Sequence, residues 1–238
     1  MTGARHVMIA GGSRGIGAAC ASMFLAAGDR VTILSRSGGV DLSDPAAAEA
    51  AIRAAEAEKG RVEVLVCTAG AARQAPPSTL DVAALRAGME TKYFTYVHAM
   101  MPVLGSMIAG GGGIIVNVIG MGGKVASPTH LPGGAANAAL MLLTTGLANA
   151  WGHKGVRVHG LNPGPVATER FEQLVAARAA HEAVDLAVMR QRMASSIPSG
   201  RVPSAEEIAE IVTFLASGAA APLSGSVISA DSAATPLP

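Results

Sequence analysis

Gly11-Gly12-Ser13-Arg14-Gly15-Ile16-Gly17 follows the apolar run His6-Val7-Met8-Ile9-Ala10 and leads into Ala18-Ala19-Cys20-Ala21. A short apolar run, a glycine-rich turn and a helix-forming stretch in immediate succession predict a strand, a tight turn and a helix. Glycine at 11, 15 and 17 lets the main chain approach a phosphate group closely. The helix that begins there presents free N–H groups and the positive end of its dipole to that group. Any tight strand-to-helix turn uses glycine. The strand before and the helix after supply the context in which such a turn holds a pyrophosphate.

The same alternation continues along the chain. Strands are expected at residues 5–10, 30–35, 62–67, 113–119, 156–161 and 226–230, and helices at 15–27, 45–59, 79–108, 134–153, 169–194 and 205–216. The strands are almost continuously apolar, as in parallel strands covered on both faces. Asp44-Pro45 supplies an N-cap followed by proline at the first helical position, Ser204 with Glu207 matches a capping box, and Gly28 suits a helix C-terminus. Alternating strands and helices predict an α/β chain: a Rossmann-type, doubly wound parallel sheet in one domain, residues 1–238. No repeat, linker or composition break divides it.

The bulk numbers bound the function. With 238 residues, 50% hydrophobic, 15% charged and a formal net charge of +1, the chain can bury a sizeable core and carries no bias toward nucleic acid or an anionic membrane. Cys20 and Cys67 sit far apart in apolar segments and read as buried free thiols of a reducing compartment, with no metal site. The first strand begins almost at once, leaving no room for a signal peptide, and no apolar run is read as long enough to span a bilayer. The expectation is a cytoplasmic protein with a small-molecule substrate and no nucleic-acid or membrane partner.

Three segments together resemble the short-chain dehydrogenase/reductase family: the glycine-rich turn, Gly133-Gly134-Ala135-Ala136-Asn137, and Asn162-Pro163-Gly164-Pro165-Val166-Ala167-Thr168. The likeness extends through Arg201-Val202-Pro203 to Asp231 and covers nearly the whole chain. It implies a nicotinamide dinucleotide held by Gly11, Ser13, Arg14, Gly15, Ile16 and Gly17 at the pyrophosphate. Asp41 and Leu42 would stand at the adenine and Ala69 and Gly70 beside the ribose. Pro163, Gly164, Val166 and Thr168 would meet the nicotinamide. Ser35-Arg36-Ser37 has no acidic residue where one would repel a 2′-phosphate. Arg36, converging there with Arg14, makes NADP(H) the expected cofactor rather than NAD(H). The family fits a helix and a third strand after this point. Here only Ser37, Gly38, Gly39 and Val40 separate Arg36 from Asp41, and a parallel crossover needs a dozen residues or so. The sheet should therefore have six strands, with the second at its edge.

The resemblance also implies a catalytic Ser, Tyr and Lys, which fall on Gly120, Gly133 and Asn137. An Asn of the family's proton relay falls on Lys92. General acid chemistry therefore needs another donor. Lys92 could supply it, or hold ribose hydroxyls; it could equally be a surface or space-filling lysine. His130, three residues before the vacant Tyr position, could donate a proton or be an exposed loop histidine. Two glycines and an Asn should leave a wide pocket, with Met121, Leu131, Met141, Met189 and Met193 as apolar lining. The expected function is an atypical NADP(H)-dependent oxidoreductase acting on an apolar carbonyl, alcohol or activated alkene. The alternatives are a catalytically inactive NADP(H)-binding protein, and a lyase or isomerase on the same fold. The family likeness further implies a homotetramer or homodimer built on the two long central helices, and a substrate lid after Thr168.

Overall fold

The computed structural model describes residues 4–70 and 72–236. Its sheet has six strands in the order β2-β1-β3-β4-β5-β6, every pair parallel. β1 is His6–Ala10, β2 Arg30–Leu34, β3 Val64–Cys67, β4 Gly113–Val118, β5 Val156–Pro163 and β6 Val227–Ala230. β1 and β3 are buried along their whole length, which explains the unbroken apolar character of their sequences. Alternate residues face opposite layers. Met8 and Ala10 join Ile52, Tyr96, Met100 and Leu140 on one face. Val7 and Ile9 join Phe24, Ile208 and Val212 on the other.

The first of these layers holds α2 (Pro45–Lys59), α4 (Thr95–Ala109) and α5 (Leu131–Trp151). The second holds α1 (Gly15–Ala26) and α8 (Ala205–Leu215). By length and composition α5, with its extension to Lys154, could cross a membrane, contrary to the expectation from sequence. It packs instead on β5, with Asn137 and Thr144 buried along it.

β2 lies at the sheet edge, as the short spacing after Arg36 requires. The chain leaves it through a 3₁₀ turn at Arg36–Gly38, with Gly39 at φ +82°, and Val40 N–H returns to the Ser35 carbonyl at 3.0 Å. Asp44 then caps α2, its carboxylate accepting from the N–H groups of Ala46 and Ala47. An open edge invites pairing with another strand. Here the Lys59 ammonium donates to the Val31 carbonyl at 3.2 Å and so occupies part of that edge.

Three helices differ from the sequence expectation. The stretch 79–108 is broken into α3 (Val82–Gly88), a π-helical segment (Met89–Phe94) and α4. Asp81 starts α3 by accepting from Ala84 N–H at 2.7 Å. Around the π segment the hydroxyls of Thr91 and Thr95 take up the carbonyls of Ala87 and Lys92. α5 begins at Leu131, three residues before Gly134, with Pro132 in its first turn. The stretch 169–194 divides into α6 (Glu169–Glu182) and α7 (Leu186–Ser195), because Ala183 turns left-handed and Asp185 caps the new helix.

Gly17 fixes how closely α1 meets the sheet. A Cβ there would lie 2.4 Å from the Gly11 carbonyl oxygen and 2.5 Å from the Thr68 hydroxyl. Gly17→Ala is expected to force α1 away from the turn and to cost about 1–3 kcal/mol, the usual range for overpacking. Urea unfolding of the two proteins measures the difference.

Candidate functional site

The carboxyl ends of β1, β3, β4 and β5 open on one side of the sheet, and the glycine-rich turn sits there. A Cβ on Gly11 would lie 2.5 Å from the Ala69 nitrogen, so the turn rests directly on the chain leaving β3. The Thr68 hydroxyl braces it, 3.0 Å from the Ala10 carbonyl oxygen. Arg14 precedes α1 without capping it, and the first turn carries no acidic side chain. The first-turn amides therefore face the cleft without a side-chain acceptor, and such an end favours an anion. Gly15 approaches Thr168, whose hydroxyl donates to the Val166 carbonyl at 3.2 Å. The segment Pro163–Thr168 is thus brought beside the turn. Pro163 and Val166 are buried, Gly164 packs on Asp231, Ser13 is exposed and Ile16 half-buried.

Arg14, expected to serve the end of β2 together with Arg36, has a partner on another element. It reaches α6 and pairs with Glu169 at 3.7 Å, both side chains exposed, a contact worth little in water. Arg36 is exposed beside Asp41. Asp41 accepts from the Ser43 N–H and hydroxyl, which hold its carboxyl below the usual range. The Ser35 hydroxyl accepts from Gly38 N–H. Leu42 is buried, and its carbonyl accepts from His98 Nδ1 at 2.9 Å.

The other end of the cleft is built around Lys92. Gly70, at φ +83°, makes this possible: a Cβ there would lie 2.3 Å from the Thr91 carbonyl oxygen, so only glycine lets the exit of β3 pass so close to the π segment. Lys92 is 8% exposed. Its Nζ donates to the Tyr96 hydroxyl at 2.8 Å, and Tyr96 in turn donates to the Val118 carbonyl. Burial, reinforced by the positive charge of Arg170, pushes the ammonium down to about 7. Burial pushes the Cys67 thiol up to about 12 and holds Tyr96 well above its ordinary value, so neither is an anionic partner at neutral pH.

Lys92 lines a cavity of about 50 Å³ with Gly70, Ala72, Ile119, His130, Gly133, Asn137 and Arg170. Two of the methionines expected to line a wide pocket, Met189 and Met193, pack instead with Phe171 and Val175 of α6. A Cβ on Gly133 would fall 2.3 Å from His130 Cε1 and Nε2. The imidazole occupies the space a side chain at 133 would enter. Burial, then Arg170 and Lys92, lower His130 below its ordinary value. Met141 accepts from Asn162 Nδ2 through sulfur. Gly120 donates its N–H to Asn162 Oδ1 at 3.3 Å. Asn137 is buried, and its Oδ1 has no hydrogen-bond partner. Arg170 escaped the sequence reading, because only the turn at Thr168 and the start of α6 aim it at this cavity.

A family model described as enoyl-(acyl carrier protein) reductase matches residues 10–235. The chain is 31% identical to D-threitol dehydrogenase of Mycolicibacterium smegmatis, over 92% of this chain and 88% of that one. It is also 31% identical to acetoacetyl-CoA reductase of Shinella zoogloeoides, over 95% and 97%. Among solved structures, an actinorhodin polyketide ketoreductase with NADPH superposes with a TM-score of 0.90 at 23% identity, over 96% of each chain.

Lys92 has consequences for stability. Its ammonium is disfavoured in the folded state, where it titrates at about 7 instead of the ordinary 10.5. Below pH 7 folding carries the whole cost of burying the charge. Between about pH 7 and 10.5 the unfolded chain binds the extra proton, so stability from this group rises with pH. Lys92→Met should therefore be more stable than the parent at pH 6, by roughly 3–5 kcal/mol, and the gap should narrow toward pH 10. Denaturant unfolding across that range tests it.

Proposed function

The chain belongs to the short-chain dehydrogenase/reductase family, and on that premise we propose that it is an oxidoreductase using NADP(H) on a small carbonyl or alcohol substrate. The observation that carries this reading is Lys92, an amine buried in a cavity beside the exit of β3, where burial pushes it down to about 7. On this account the family's Ser, Tyr and Lys positions are Gly120, Gly133 and Asn137, and Lys92 stands in as the proton donor.

The residues present fit a dinucleotide. The uncapped first turn of α1 and the close glycines at 11 and 17 suit a pyrophosphate. The unpartnered Asn137 Oδ1 suits a ribose hydroxyl. Ser35 and exposed Arg36, with no carboxylate among residues 35–37, suit a 2′-phosphate, and the ketoreductase neighbour holds NADPH. Arg14 would contribute only by leaving Glu169, and that exposed pair is weak enough to exchange. Asp41 and Leu42 would flank the adenine, and Ala69 and Gly70 the ribose. Pro163, Gly164, Val166 and Thr168 would hold the nicotinamide. The bound dinucleotide would supply or accept the hydride.

The protein's own part is proton handling and exclusion of water. Lys92 Nζ gives its proton to the developing alkoxide oxygen during reduction and takes it back during oxidation. Tyr96 and the Val118 carbonyl keep Nζ aimed while it does so. His130 is held toward its neutral form and closes the space over Gly133, leaving Lys92 as the group that carries a proton to give near neutral pH. Leu142 on α5, 77% exposed, suits the central-helix contact of a homodimer or homotetramer.

NADPH fluorescence should saturate, and NADPH should be consumed with a panel of small ketones and oxo-acids. Lys92→Met should lower kcat by about 10²–10⁴-fold while NADPH still binds. The kcat of reduction should decline as pH rises through the lysine titration. Saturable NADPH binding without turnover on any panel member would favour the inactive binding protein. No saturable binding would remove the cofactor assignment.

A further inference from the structure

Resting on the oxidoreductase reading of this cavity, we propose that the substrate carries a carboxylate beside its reacting carbon–oxygen group and that Arg170, with Lys92 alongside, receives it. The polar groups lining the cavity are Lys92, His130, Asn137 and Arg170, and no carboxylate is among them. Arg170 forms no ion pair or side-chain hydrogen bond among the described residues. Arg178 on the same helix is likewise unpaired among the described residues, whereas on α7 and the loop after it Arg190 holds Glu172, Arg192 holds Glu182 and Arg201 holds Glu207; what sets Arg170, itself exposed, apart is its place on the cavity wall. Glu169, adjacent in sequence, turns the other way and meets Arg14 of the glycine-rich turn. The start of α6 thus sends its carboxylate toward the phosphate end of the cleft and its guanidinium toward the cavity.

Two further observations point to an anion. Arg170 depresses both Lys92 and His130, so the bases repel one another across the cavity, and an anion between them would reverse that sign. The space, about 50 Å³, exceeds the roughly 10–15 Å³ that one water needs on the same measure and so admits a small polar group such as a carboxylate. A planar carboxylate also matches the guanidinium fork, which a point charge does not require. The basic lining favours an anionic group on the substrate over the apolar carbonyl, alcohol or alkene expected from the sequence.

Binding should depend on pH. Lys92 faces Arg170 from α6, His130 from the head of α5, Cys67 from β3 and Tyr96 from its own helix. The thiol and the phenol stay neutral, so a carboxylate would be the sole negative charge among these groups, and it would draw a proton onto Lys92. Affinity should fall as pH rises beyond about 7.

Acetate and its neutral isostere acetamide are the probes, titrated by amide chemical shifts into the protein alone and into the NADPH-treated protein. Acetate should saturate in both, and acetamide should bind at least about tenfold more weakly. Arg170→Gln should weaken acetate by about tenfold or more with an unchanged thermal midpoint, and Arg170→Lys should recover part of the loss. Equal binding of acetate and acetamide, or undiminished acetate binding by Arg170→Gln, would overturn the proposal. So would displacement of acetate by NADPH, with inorganic phosphate binding tighter, since the anion would then be the cofactor's. Acetate binding without NADPH binding would keep the anion site and remove the oxidoreductase reading. NADPH binding without acetate binding would do the reverse.

Discussion

Burying an amine near a guanidinium and an imidazole, with a neutral thiol and phenol beside it, is costly, and the cleft is arranged around that cost. Lys92 reaches its place because Gly70 lets two backbones nearly touch, and because the π segment turns the residue inward between α3 and α4. Tyr96 then satisfies one of its donors and is itself satisfied by Val118. A group so held either gives up its proton near neutrality or finds an anion. Either outcome suits the proton transfer proposed for this site.

The two ends of the cleft are joined by α6. Its first residue pairs with the glycine-rich turn, and its second lines the cavity. A helix with contacts at both ends can respond to what occupies either one. The segment before it, Pro163–Thr168, runs from a buried strand end to the first turn of α6, so its position is fixed by the sheet.

Much of this fold is legible in the sequence, because it depends on local or periodic signals. Unbroken apolar runs mark strands covered on both faces, and β2 falls at the edge because four residues cannot make a crossover. The Asp44 and Ser204 caps are local chemistry and stand where the sequence put them. Helix continuity was less legible. Ala183 has ample helix propensity, yet it turns left-handed where α6 ends and the Asp185 cap begins α7. The site was legible only in its backbone parts. A glycine at 133 suggests open space, but three-dimensional proximity lets His130 fill it. Burial of Lys92 and the aim of Arg170 depend on contacts between distant segments, for which no spacing in the chain is a signal. The pairing of Arg14 with Glu169, far apart in the chain, is of the same kind.

The central claim is that Lys92 Nζ shares a desolvated, basic cavity and is therefore an acid near neutral pH. The most direct measurement is an NMR titration of the Lys92 side chain in the protein without ligands, assigned by its loss in Lys92→Met. The account predicts a midpoint near 7. A midpoint near the ordinary lysine value of 10.5 would contradict it.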